Sequence, residues 1–142
     1  MGEALTSPEI QAFANGFPVT LLHFALTMAI LVVGAAIYMG LTPHREIALV
    51  REGNRAAAIS LGGVLLGLAL PLGVSLHAST SAVDLALWGA ATLMVQLLVF
   101  RVVDLLLPHL PGRIQSGDIA AALALCAAKL ASAVILAAAV SG

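Results

Sequence analysis

The sequence predicts an all-α membrane protein: four transmembrane helices in an antiparallel bundle, with both termini on the outer side. Three observations predict it. The first is composition. Of 142 residues, 61% are hydrophobic and only 9% are charged, and the mean hydropathy is +1.10. A soluble domain carries about 25% charged residues, so six basic and seven acidic side chains are too few to coat a globule in water. The same scarcity of basic surface excludes a nucleic-acid binder, and the apolar content excludes a disordered chain. The second is the apolar runs, at 17–41, 56–78, 85–107 and 119–140. Each reaches the roughly 20 residues that a helix needs to cross a bilayer core. Dyad alternation is absent, and helices satisfy every backbone group internally, as lipid demands. The third is the placement of the arginines. Arg45, Arg51 and Arg55 lie in the first connection and Arg113 in the third, while the N-terminus, the 76–84 connection and the C-terminus carry no Lys or Arg. The positive-inside bias puts the arginine-bearing connections in the cytoplasm. Both termini then face outward, towards the periplasm of a Gram-negative cell.

The elements follow in chain order, within one integral-membrane domain covering 1–142. Ser7 is a natural N-cap, Pro8 suits the first helical position and Glu9 the first turn. Ile10, Phe13 and Phe17 recur at helical spacing, which predicts a short interfacial helix over about 8–16 leading into the first span. That span is not a removable signal peptide. No Lys or Arg precedes Arg45, and the apolar run is longer than a signal core. The connection 42–55 is the longest. Its Glu46, Arg51 and Glu52 alternate with Ile47, Leu49 and Val50, which predicts a short amphipathic helix in the interface. Arg45, Arg51 and Arg55 suit anionic lipid headgroups.

The second span carries Gly63, Gly67, Pro71 and Ser75 at spacing four, a face of small residues. Lipid supplies no hydrophobic drive between helices, so close backbone approach must hold them. Pro71 cannot donate to the carbonyl of Gly67, which predicts a kink. This face reads as intramolecular packing, or else as a subunit interface or hinge. The fourth span offers a matching surface in Ala120, Ala124 and Ala128. The turn after the second span is short, so the second and third spans are antiparallel neighbours. Trp88, near the outer end of the third span, and Tyr38, near the inner end of the first, fit interface anchors. Cys126 is the only cysteine and reads as a structural thiol.

The polar groups inside the spans carry the functional question. Arg101 and Asp104 are three apart on the third span, hence on one face; they read as an ion pair or as a gating contact. Lys129 falls roughly 15 Å from either end of the fourth span at about 1.5 Å per residue, too deep to snorkel with ease. A central lysine costs roughly 2.5–3.5 kcal/mol on insertion scales, so it must face other helices, a cavity or a neighbouring subunit. Gln96 and Thr27 fall at similar depth, which predicts a polar layer of Lys129, Gln96 and Thr27. Asp104 reaches Lys129 only if the helices are staggered or tilted. His23, His44, His77 and His109 are scattered, and no third metal ligand accompanies any two of them. No nucleophile motif, phosphate loop or cysteine pair occurs, so neither a cofactor nor catalysis is expected.

Several of these residues stand in a recognisable order. Tyr38 is followed by Thr42, Pro43, His44 and Glu46, then Asn54 before the second span. Gly63 and Gly67 with Pro71 and Leu72 come next, then Asp84, Trp88 and Gly89, then Val95 to Leu98 with Phe100, and a small-residue fourth span ending at Ser141. In this the chain resembles the YjfL-like family of bacterial inner-membrane proteins, domain of unknown function 350, from the first span onward. The resemblance implies a multi-pass inner-membrane protein in a setting of membrane stress.

Two functional classes stay open. One is a structural or regulatory membrane component that recruits a cytoplasmic partner through 42–55. The other is a channel or transporter for ions or small cations, with Pro71, Gln96, Arg101, Asp104 and Lys129 along its path. Four helices leave little room for a pore, so transport requires a homo-oligomer.

Overall fold

The computed structural model describes residues 1–2, 7–42 and 45–142. Pro43 and His44, quoted in the resemblance, lie outside the described residues. Among the described residues six helices follow one another: α1 Pro8–Leu41, α2 Glu46–Arg51, α3 Arg55–Ala78, α4 Ala82–Leu106, α5 Leu110–Gln115 and α6 Ile119–Ser141. Four of them, α1, α3, α4 and α6, are long and apolar enough to cross a membrane.

The first helix differs from expectation. No separate interfacial helix covers 8–16; α1 runs unbroken for 34 residues, about 51 Å at 1.5 Å per residue. Its start is as predicted, with Ser7 accepting from the backbone N–H of Ile10, Pro8 in the first turn and Glu9 beside it. The lack of a break is physical. α1 runs through Asn15, Gly16 and Pro18, all poor helix formers, and interactions that need helical spacing bridge them: Phe13 and Phe17 stack with ring centroids 5.1 Å apart, and the Thr20 hydroxyl donates to the Gly16 carbonyl at 3.1 Å.

The chain alternates direction from span to span, yet the closest partners run parallel. A Cβ on Gly63 would lie 2.7 Å from Cys126 Sγ, and one on Gly67 would lie 3.6 Å from the carbonyl oxygen of Lys129. As α3 advances, its contact on α6 advances too. The two helices therefore meet in parallel, inside one chain, but not through the expected face of α6: Ala120 and Ala124 are exposed and Ala128 half-buried, whereas Ala121, Ala122, Leu125 and Ala133 are buried, because the contact lies one position round the helix. Pro71 and Ser75 continue the buried face of α3. Likewise α1 runs parallel to α4: Ile30 lies against Gly89 and Leu93 against Gly34, while Tyr38 reaches Asp104. Two parallel pairs thus pack against each other, and their shared core is Val64, Leu68, Leu72, Leu93 and Phe100.

The structure also shows a repeat of architecture. In each half, a long helix leads to a six-residue helix, a glycine, a capping side chain and a second long helix. Gly53 has φ 87° and Gly117 has φ 89°. Gly53 N–H donates to Val50 and Asn54 N–H to Leu49, as Gly117 does to Ile114 and Asp118 to Arg113. This is the double bond of a Schellman-type stop. Asn54 and Asp118 then accept from Ala57 N–H at 3.0 Å and Ala121 N–H at 3.1 Å. Asn54 does more than cap: its amide nitrogen donates to the carbonyls of Ile114 and Gln115, both at 3.1 Å, and ties the two halves together. Because both glycines are left-handed, Gly53→Ala and Gly117→Ala are each expected to cost about 1–2 kcal/mol, read as a lower unfolding midpoint in mixed micelles. Gly112→Ala, at a position with open space around it, is the control.

Candidate functional site

The deepest charge finds its partners at the arginine-bearing end of the bundle. Lys129 is fully buried. Its Nζ lies 2.9 Å from Asp104 Oδ1 and donates to the hydroxyl oxygen of Tyr38, which itself donates to Asp104 Oδ2 at 3.3 Å. The ammonium also sits 4.4 Å from the Tyr38 ring centroid and 5.3 Å from that of Phe100, within cation–π reach. The two rings meet edge to face with centroids 5.9 Å apart. Lysine, carboxylate and phenol thus close a triangle from α6, α4 and α1.

Helix geometry explains the convergence. A Cα–Cβ bond tilts towards its own helix N-terminus. For α6 that is the arginine-bearing end, so Lys129 reaches down. For α1 and α4 it is the opposite end, so Tyr38 and Asp104 reach up. Three side chains that start at different depths therefore meet at one.

This arrangement corrects four expectations. Arg101 and Asp104 do not pair: Arg101 is exposed and donates to the carbonyl of Leu41 at 3.4 Å, leaving Asp104 to Lys129. Tyr38 is no interface anchor, being 4% exposed and held by the triangle. Thr27 does not join a layer with Lys129 and Gln96; its hydroxyl bonds back to the His23 carbonyl at 2.8 Å, the ordinary use of a mid-helix threonine. Gln96 is fully buried but one step removed. Its amide nitrogen donates to Ser132 Oγ at 3.2 Å, and that hydroxyl donates to the Lys129 carbonyl at 2.7 Å. Further along the same face of α4, Thr92 and Ser75 share a buried hydrogen bond at 3.1 Å. Trp88 is exposed near the start of α4, where an anchor belongs. Arg45, Arg51 and Arg55 are all exposed.

Glu46 is the functional residue that sequence reasoning missed. It opens α2 and is only 6% exposed. Burial pushes its carboxyl above the usual range; the Lys129 charge opposes this and the Asp104 charge adds to it. Its Oε2 has no hydrogen-bond partner among the described residues. The alternating charges of 46–52 point to a helix on the lipid surface, whereas the first of them is turned inward. The available signal was position: the helix N-terminus favours a carboxylate, and the next span begins only a few residues on, so α2 must fold back over the bundle end. Glu46, Asp104, Tyr38, Ser60 and Arg101 line one cavity of about 250 Å³ at this end.

The fold and site define a class: a four-span α-helical membrane protein with a buried lysine–carboxylate–phenol centre beneath a short loop helix. Residues 12–140 match the family described as Domain of Unknown Function (DUF350), and the chain belongs to that family. It is similar to the UPF0719 inner membrane protein YjfL of Escherichia coli strain K12, with 34% identity over 116 residues, covering 82% of this chain and 88% of that protein. The protein of the same name from E. coli O157:H7 matches to the same extent. No solved structure matches.

Proposed function

We propose that this chain is a non-catalytic regulatory component of the bacterial inner membrane, in which α2 reports the state of the buried Lys129 centre to a cytoplasmic partner. The inner-membrane relatives and the apolar spans support the location. The one-sided arginines support a cytoplasmic α2 with both termini in the periplasm. The observation that carries the reading is Glu46: a loop residue, almost fully buried, in the field of an intramembrane lysine and carboxylate. Any change in charge at the centre alters how well α2 docks.

Hydrogen exchange of the 46–51 amides in lipid nanodiscs tests this. Lys129→Met removes the cation that offsets the Glu46 charge, so exchange there is expected to rise at least tenfold, while exchange in 110–115 stays unchanged. Unchanged exchange at 46–51 refutes the coupling. The sign of the pH effect also follows. A carboxyl raised in the folded state is favoured there in its protonated form, so docking weakens as pH rises through its titration. Lys129 from α6, Asp104 from α4, and Tyr38 and Arg101 around the shared cavity face the group. Exchange at 46–51, corrected for its intrinsic rate, is expected to increase as pH rises above the usual carboxyl range and to lose that dependence in Glu46→Gln.

A second reading, an oligomeric channel or transporter for ions or small cations, draws on Thr92 and Gln96, buried one turn apart on α4, with the Asp104–Lys129 pair beyond them. Ion flux through reconstituted liposomes that disappears in Lys129→Met decides for it.

A further inference from the structure

The cavity beneath α2 carries two groups that the buried pair does not satisfy. Glu46 brings a carboxylate oxygen without a partner among the described residues, on a side chain more than nine-tenths buried. Arg101 brings a guanidinium whose contact is a long 3.4 Å bond to a backbone carbonyl. Asp104, which also lines the cavity, is already paired with the buried Lys129 behind it. The site thus offers one acidic and one cationic side chain to an occupant, both on the wall of one cavity. Its volume of about 250 Å³ is several times the roughly 30 Å³ share of one water. The rest of the wall is largely apolar, with Leu49, Ile114 and Leu125 inside and Leu105, 66% exposed, at the edge. The cavity lies at the arginine-bearing end of the apolar helices, the level at which a bilayer they cross would place its headgroups.

We infer that this cavity binds a phosphoethanolamine group, its primary ammonium on Glu46 and its phosphate on Arg101. The chemistry is specific at both ends. An orphaned carboxylate oxygen needs an N–H donor, which a primary ammonium has and a trimethylammonium lacks. A guanidinium fork matches phosphate oxygens. Two sources supply the group: the headgroup of an aminophospholipid, whose chains would lie along Leu105, or free phosphoethanolamine. The assignment rests on the reading of Glu46 as the docked link of α2.

The test uses full-length protein, delipidated in detergent, with native mass spectrometry after adding phosphatidylethanolamine, phosphatidylcholine or phosphatidylglycerol. The expected result is a preference of about tenfold for phosphatidylethanolamine over phosphatidylcholine, following from one charge-assisted hydrogen bond. Glu46→Gln should abolish that preference, and Arg101→Gln should weaken binding of the ethanolamine and choline lipids alike, since both carry the phosphate, while Glu52→Gln, on an exposed carboxylate next to α2, changes neither. Arg101 is exposed, so its variant folds even if Glu46→Gln does not. Displacement of the lipid by millimolar phosphoethanolamine assigns the soluble source; resistance to it assigns the lipid. Equal binding of the ethanolamine and choline lipids overturns the inference, as does a preference that survives Glu46→Gln or lipid binding that Arg101→Gln leaves unchanged. Loosening of α2 in Lys129→Met without lipid preference ends this inference and leaves the proposed function standing.

Discussion

Replacing Asp104 with alanine is expected to destabilise the bundle by about 3–5 kcal/mol, the cost of leaving a buried charge without its partner. Among the described residues Lys129 has no other carboxylate within salt-bridge distance, and its side chain is fully buried. Tyr38 cannot take over, because a neutral hydroxyl solvates an ammonium without neutralising it. The double variant Asp104→Leu with Lys129→Met should behave differently. Replacing both partners of a buried pair by apolar groups of similar volume is often neutral or stabilising by about 1–4 kcal/mol, so the double variant is expected to match or exceed the parent. Unfolding in mixed micelles, followed by circular dichroism, separates the two. If the double variant is as damaged as the single one, the pair holds the fold together. If it is stable and α2 exchanges freely, the pair exists for function.

The second large effect is expected at Gly63. A methyl group there would lie 2.7 Å from Cys126 Sγ and 3.1 Å from the Cys126 Cα. The sulfur can turn aside; the Cα moves only if α6 moves. Gly63→Ala should therefore force the α3–α6 pair apart and cost about 1–3 kcal/mol, the range for overpacked cores. Adding Cys126→Ala relieves the sulfur clash and leaves the backbone one, so rescue should be partial. Gly62→Ala, one residue away and facing open space, should be neutral or slightly stabilising, since alanine is the better helix former. Equal effects at the two glycines would refute the close-contact account.

The spans were legible because lipid imposes simple rules. Length and composition mark a crossing, and the caps Ser7, Asn54, Ser81 and Asp118 are of the residue types that end backbone donors well. The face of Gly63, Gly67 and Pro71 was legible as a period of four. The charge centre was only half legible. That Lys129 needed company followed from cost alone, but its company was misplaced because residues were compared by the depth of their backbones. Lys129, Gln96 and Thr27 share a level only by counting along each apolar run; with Ile30 against Gly89 and Gly34 against Leu93, Thr27 lies well outward of Gln96. Lys129, Asp104 and Tyr38 share a meeting point, set by long side chains leaning along oppositely directed helices. Arg101 and Asp104 share a face, and sharing a face does not make a pair when a more deeply buried cation competes for the carboxylate. Glu46 escaped notice because amphipathic alternation cannot say which of two media, lipid headgroups or protein, receives the helix.

The parallel packing of α3 with α6 has a consequence for how the molecule comes into being. Each half can enter the bilayer as a hairpin during synthesis, but the two helices that fit best belong to different halves. The first hairpin therefore waits in the membrane with its small-residue face open until the last span arrives. Tyr38 and Asp104 are already in place when Lys129 emerges, so the costly cation enters a bilayer that already holds its counter-ion. Reversing the order of the two halves in a circularly permuted gene would present Lys129 before Tyr38 is made, and the yield of inserted protein would record what that order of arrival is worth.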